Sequence, residues 1–245
     1  MEELLRTRLA DEDKPIKGLL FDKDGTLIYL DDLWIQPTAD FIEILLKRDP
    51  KDFKQEEINQ VLSEIGIVDG QLLANSMAAS GTIQSQADFL SQYIHQSAES
   101  ICLEMTDYFT NYLKDNPDKL VPVCDLQNLF KKLKEKGYAV GLATSDSRKP
   151  TDMALELLGI AELLDFVATP DEYEEKPHPQ ALQQFAKQAQ LKMEEILYIG
   201  DSFIDMQFGK HGAGSVGVLT GNTSAQELEG RADFIVDSVA IFFDK

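Results

Sequence analysis

Residues 16–27 read IKGLLFDKDGTL, an apolar run that stops abruptly at two acids, Asp22 and Asp24, and a glycine, Gly25. A short apolar run of this kind suits a buried strand of a parallel sheet, and the acids that end it suit a functional loop. Residues 138–143 (YAVGLA), 166–168, 196–199 and 215–219 are similar runs, with 234–236 as a possible short addition. Helical periodicity fills the intervals, at residues 126–136, 151–158, 179–189, 205–211 and 224–228. Alternating strand and helix predicts a doubly wound α/β sheet.

Residues 31–113 break that rhythm. They carry helical patterns such as FIEILLKR and EEINQVLSEIGI and little strand signal. The division expected is therefore an α/β core from 1–30 and 114–245, with 31–113 as a helical cap emerging beyond the first strand. Within the cap, GIVDGQLLANSMAASGT (66–82) is rich in small residues and reads equally as a substrate loop or as a plain connection between helices. Trp34, the single tryptophan, is expected to pack between cap and core or to line the pocket.

Composition narrows the function classes. The chain has 245 residues, 43% hydrophobic and 27% charged, as a folded globular protein does. A net charge of −20 disfavours nucleic acid and anionic membranes as partners. The densest basic run, Lys131, Lys132, Lys134 and Lys136, alternates with Leu133 and Glu135 and reads as a solvated helix face. Cys102 and Cys124 lack metal-ligand spacing, and MEELLRTRLADEDKP lacks the apolar stretch of a signal peptide, so a cytoplasmic setting is expected.

Open α/β sheets place ligands beyond the carboxyl ends of their strands, and four such ends carry polar residues here. The first carries Asp22 and Asp24, which can share a side two positions apart, one carboxylate to attack and the other to move protons. Such a pair with Gly25 also makes an ordinary turn. The second carries Thr144 and Ser145, placed to hold phosphate oxygens or to cap the next helix. In EEKPHP, Lys176 supplies a cation between stiffening prolines, and His178 reads as a rim residue. The fourth carries Asp201 and Asp205, a carboxylate pair suited to Mg²⁺, although Asp201 alone could be a helix cap.

The ordered set DKDGTL, LATSD, EEKPHP and IGDSFIDM resembles the four motifs of the haloacid dehalogenase (HAD) superfamily, and the helical insert resembles its C1-type cap. The pattern is similar to the phosphoglycolate phosphatase-like subgroup. The resemblance implies a phosphatase acting on a small-molecule phosphate ester through an aspartyl-phosphate. Asp22 would be the nucleophile, and Asp24 the acid and base. Thr144, Ser145 and Lys176 would grip the phosphoryl group. Mg²⁺ would sit on Asp22, Asp201 and the carbonyl of Asp24, with Asp205 behind it or as a further ligand.

Asp24 must begin protonated in that scheme, and Asp22, Asp201 and Asp205 are the kind of surroundings that would favour it. Lys23 stands where the family pattern has an apolar residue, and Ser145 where asparagine is frequent. Dehalogenases and phosphonatases of the superfamily lack the second carboxylate, so Asp24 favours phosphate chemistry. The resemblance leaves open a phosphosugar mutase, a phosphoaspartate switch and a catalytically silent interaction protein. One clue bears on the leaving group. Residues 55–113 contain no Lys or Arg, so a neutral or polar leaving group is expected unless Arg148 of the core reaches the cleft.

Overall fold

The structure, a computed structural model, describes residues 2–243. Along the chain run α1 (Glu2–Leu9), β1 (Gly18–Phe21), α2 (Asp31–Lys47), α3 (Gln55–Ile65), the short strands β2 (Ile67–Val68) and β3 (Gln71–Leu72), α4 (Met77–Ser80), α5 (Ile83–Leu90) and α6 (Ala98–Asp115). There follow α7 (Leu126–Glu135), β4 (Ala139–Ala143), α8 (Arg148–Leu158), β5 (Phe166–Ala168), α9 (Gln180–Ala189), β6 (Ile196–Gly200), α10 (Phe203–Gly209), β7 (Ser215–Val218), α11 (Ala225–Leu228) and β8 (Phe234–Val236).

Six strands form one parallel sheet in the order β5-β4-β1-β6-β7-β8. The chain builds outward from β1 through β4 to β5, then returns to add β6, β7 and β8 on the other side. The strand order therefore reverses at β1 and β6, where doubly wound sheets open a crevice at their carboxyl ends.

Alternation along each strand explains why helices cover both faces. Leu19, Phe21, Val140, Leu142, Leu197 and Ile199 point to one side and pack with Leu5 of α1 and Leu126, Leu129, Phe130 and Leu133 of α7. Leu20, Ala143, Ile196 and Tyr198 point to the other and meet Leu182 and Phe185 of α9 and Phe208 of α10. Phe21 centres the first layer, edge-on to Phe130 and Phe242.

A third apolar cluster runs from Ile28 to Leu120 and takes in Leu33, Trp34, Phe41, Ile58, Ile83, Ile101, Met105 and Phe109. The segment after β1 thus has its own core. Two features there differ from expectation. The turn at Asp69 and Gly70 makes β2 and β3 an antiparallel hairpin, too short for period-two alternation to declare itself. The last cap helix also runs on to Asp115. At the other end, the polar start of the chain forms α1, whose Leu5 is fully buried. One inward leucine per turn sufficed. Lys131, Lys134 and Lys136 are exposed, as expected, while Leu133 is buried.

Candidate active site

The site begins with the loop that ends β1. The carbonyl of Lys23 accepts the amides of Thr26, Leu27 and Ile28, and Gly25 turns with φ 78°. A side chain at Gly25 would also meet the carboxylate of Asp201, its Cβ only 2.6 Å from Oδ2. Glycine is needed there both for the left-handed turn and for space.

This turn aims Asp22 at Lys176. The ammonium group lies 2.6 Å from Asp22 Oδ1, 2.7 Å from Asp205 Oδ1 and 3.0 Å from the hydroxyl of Tyr198. Asp22, Asp201 and Asp205 each offer an oxygen within 4.8 Å of the others, and all three are buried. Asp205 is fully engaged. Its Oδ1 faces Lys176 and Tyr198, and its Oδ2 accepts from the amides of Asp201 and Ser202 and from the Ser202 hydroxyl. Burial pushes the Asp205 carboxyl up, but Lys176 and Ser202 more than offset it and hold it below the usual range.

Asp201 is the opposite case. Burial first, then the neighbouring Asp205 and Asp22, push it well above the usual carboxylate range. Its described side-chain contact is the Thr26 hydroxyl, at 3.4 Å. It is not a helix cap, because Ser202 takes that role for α10 in a reciprocal pairing with Asp205. Burial likewise raises Asp22 from 3.8 to about 7, against the pull of Lys176.

Asp24 lines the same cleft and is close enough to help raise Asp22, but its own partners are different. Its Oδ1 accepts from the Trp34 indole at 2.6 Å, and its Oδ2 lies 2.7 Å from the ammonium of Lys23. Lys23 is fully buried, reaches Asp146 at 2.9 Å and sits 5.3 Å from the Trp34 ring centroid. Because β1 ends at Phe21, strand alternation no longer governs Lys23, and it turns toward the site rather than into the core. Trp34 packs on Phe109 within the cap, reaches Asp24 and Lys23 of the core, and lines the cleft.

Thr144 and Ser145 also line the cleft. Ser147, not either of them, is the N-cap residue of α8, while the Thr144 hydroxyl accepts the Asp146 amide at 3.1 Å. His178 is exposed. Arg148 does not reach the cleft: its guanidinium is tied to Asp152 and Glu172.

Leu30, with Trp34, Thr38, Ala78, Ala79, Ser80, Gly81, Ile83, Gln86 and Phe109 of the helical segment, lines the cleft from above, leaving a cavity of about 70 Å³. Asn75 docks it on the core, taking the Phe203 amide at 2.8 Å. Gly221, in the loop after β7, presses on the site from the side, since a Cβ there would fall 1.9 Å from Asp201 Oδ2. Lys23, Asp146, Tyr198, Ser202 and Gly221 were not expected at the site; for Lys23, its place between two acids was the available signal.

The sheet and its carboxyl edge define an α/β enzyme whose chemistry sits at the strand ends. The family model described as haloacid dehalogenase-like hydrolase matches residues 19–218; the chain belongs to that family and is a phosphatase-type enzyme. Pyrophosphatase PpaX of Bacillus cereus (strain G9842) is 30% identical over 234 residues, covering 92% of this chain and 94% of that protein. Among solved structures, a HAD phosphatase from Thermococcus onnurineus matches with TM-score 0.65 and 22% identity, covering 91% of this chain and 94% of the other. A β-phosphoglucomutase from Clostridium difficile matches with TM-score 0.63 and 17% identity, covering 91% of each chain. At those identities the structural likeness is one of fold.

Proposed function

We propose that the chain hydrolyses a small-molecule phosphate monoester in two steps, with Mg²⁺ as cofactor. The observation that carries this is the convergence of Asp22, Asp201 and Asp205 around Lys176 at the base of the cleft. An Asp22 oxygen attacks phosphorus, the bond from phosphorus to the alcohol oxygen breaks, and that oxygen takes a proton that Asp24 must pick up beforehand from solvent, against the Lys23 ammonium and Trp34 indole that its carboxylate faces in the resting site. Water then attacks phosphorus, its proton passes to Asp24, and inorganic phosphate leaves Asp22. Thr144, Ser145 and Lys176 bind the phosphoryl oxygens.

The donor set fits the cation. Asp201 is a buried carboxylate with no lysine among its described contacts, which is costly unless a cation compensates it. Asp22, Asp201 and the Asp24 carbonyl would hold Mg²⁺, a set of hard oxygens of the kind it prefers. Asp205 orients rather than ligates, because both its oxygens are taken. When bound, Mg²⁺ neutralises charge on the phosphoryl group. Chelation should abolish turnover of a phosphate-ester panel and added Mg²⁺ restore it; full activity in chelator would sink the cofactor assignment. Free Cys102 and Cys124 support a reducing, cytoplasmic setting.

Metal binding should also be visible in stability. With Asp22 raised from 3.8 to about 7 and Asp201 raised as well, the metal-free folded state holds more protons than the unfolded chain between about pH 4 and 7. Their contribution to stability is therefore present at the acid end and lost as pH rises through that window. Mg²⁺ competes with those protons. Melts with and without Mg²⁺ should show a larger increase in Tm at pH 8 than at pH 5; an equal or reversed increase would contradict the site.

Gly221 offers a separate handle. Gly221→Ala has to displace the Asp201 carboxylate, and displaced supporting contacts typically weaken a metal site by about 10- to 100-fold. A Mg²⁺ titration of activity should shift to higher concentration by that order. An unchanged titration would show that the loop can retreat without moving Asp201.

A further inference from the structure

We infer that the natural leaving group is a neutral alcohol carrying a hydrogen-bond donor, recognised by Gln86, and that a second anion such as the other half of pyrophosphate is a poor fit. This rests on the phosphatase reading above. Gln86 lies on α5, is 6% exposed and lines the cleft with the cap residues. Its Oε1 is buried and has no hydrogen-bond partner among the described residues. A buried amide oxygen left unpaired is a cost that a donor on the substrate removes.

Charge in the cleft supports the same conclusion. Among the described residues that line it, Lys176 is the only cation, and it is already placed between Asp22 and Asp205. Lys23 is shared by Asp24 and Asp146, Arg148 by Asp152 and Glu172, and residues 55–113 contain no Lys or Arg. The cap wall is instead Leu30, Trp34, Ile83, Phe109 and small residues. An anionic leaving group would sit against Asp24, Asp146 and apolar carbon, with Lys23 already committed to those two acids and no further cation among the described lining residues, and a buried charge left uncompensated is strongly disfavoured. A hydroxylated organic group loses nothing against that wall and satisfies Gln86.

The test compares kcat/KM of the full-length enzyme with Mg²⁺ on pyrophosphate, phosphoglycolate, neutral polyol and sugar monophosphates, and p-nitrophenyl phosphate, whose leaving group offers no donor beyond the ester oxygen. Neutral hydroxylated esters should exceed pyrophosphate and phosphoglycolate by about tenfold or more, the order of a lost polar contact in a buried site. Gln86→Met should lower kcat/KM for those esters by about three- to tenfold more than it lowers kcat/KM for p-nitrophenyl phosphate. Pyrophosphate turned over as well as the neutral esters would overturn the inference, and that result needs no variant. So would a loss in Gln86→Met that is equal for every substrate, because that is what a structural role gives. Failure to hydrolyse any ester, p-nitrophenyl phosphate included, would overturn the phosphatase reading itself and this inference with it.

Discussion

Asp22→Asn is expected to lower turnover by a factor on the order of 10⁴ or more while leaving the fold intact, as loss of a covalent nucleophile does in enzymes whose catalytic groups act as a unit. The argument for intact folding is specific to this site. Asp22 is a carboxylate pushed up to about 7 by burial, so above that pH its charge is a burden on the metal-free protein. Asparagine keeps the shape and removes that charge. Lys176 does not become an unpaired cation, because Asp205 still lies 2.7 Å away. Without Mg²⁺ at pH 8, the Tm of Asp22→Asn should therefore equal or exceed that of the parent. The two readouts separate catalysis from folding: lost turnover with a preserved melt supports the nucleophile, whereas preserved turnover removes it. Quenching the parent enzyme during turnover of a phosphate-labelled ester should trap label on the protein, and the variant should trap none.

The sheet was legible because its strands are short and apolar and the central ones, β1 and β6, are buried on both faces, which leaves a continuous apolar run in the sequence; even at the half-buried edges, residues 166–168 and 234–236 coincide with β5 and β8. The four strand ends followed from the sheet. Asp22, Lys176, Asp201 and Asp205 meet because parallel strands deliver their carboxyl ends to one edge. What lay outside the reading depends on direction rather than on sequence position. Lys23 sits between two acids that face the cleft, and in an extended chain it would face away from them. The chain is no longer extended there, since the turn at Gly25 has begun, and nothing in a string of letters marks where alternation stops. Arg148 shows the same limit from the other side. Its place after a strand end put it near the cleft, but Asp152 one helical turn on and Glu172 on the next loop hold it away. Tyr198 and Gly221 serve the site through Asp205 and Asp201: the Tyr198 hydroxyl turns back to Asp205 in the helix that follows its own strand, and Gly221 approaches Asp201 from the loop of another strand.

Lys23→Met should lower stability by about 3 kcal/mol, the order seen when one partner of a buried ion pair is removed. For a chain of this size that is a fall in Tm on the order of 10 °C. The reasoning starts from a symmetry in the charges. Lys176 lies between Asp22 and Asp205, and Lys23 between Asp24 and Asp146, so each buried ammonium serves two carboxylates and Asp201 alone lacks one. Burial already pushes the Asp146 carboxyl above its ordinary range, and Lys23 is the chief force opposing it. Lys23 itself is raised despite its burial, because Asp146 and Asp24 hold the charged form. Methionine fills much of the lysine stem's volume and so separates loss of charge from loss of packing. It leaves two acids in a shared, partly dry pocket with no cation between them. Turnover should fall as well, because Asp24 then keeps the Trp34 indole as its described anchor and loses the other. If the cause is the uncompensated pair, adding Asp146→Asn to Lys23→Met should restore part of the lost stability, and the double-mutant cycle should show coupling above about 0.5 kcal/mol. A Tm unchanged in Lys23→Met, or strictly additive losses in the double variant, would show that the lysine is a passenger in the motif rather than the counter-ion that holds Asp24 in place.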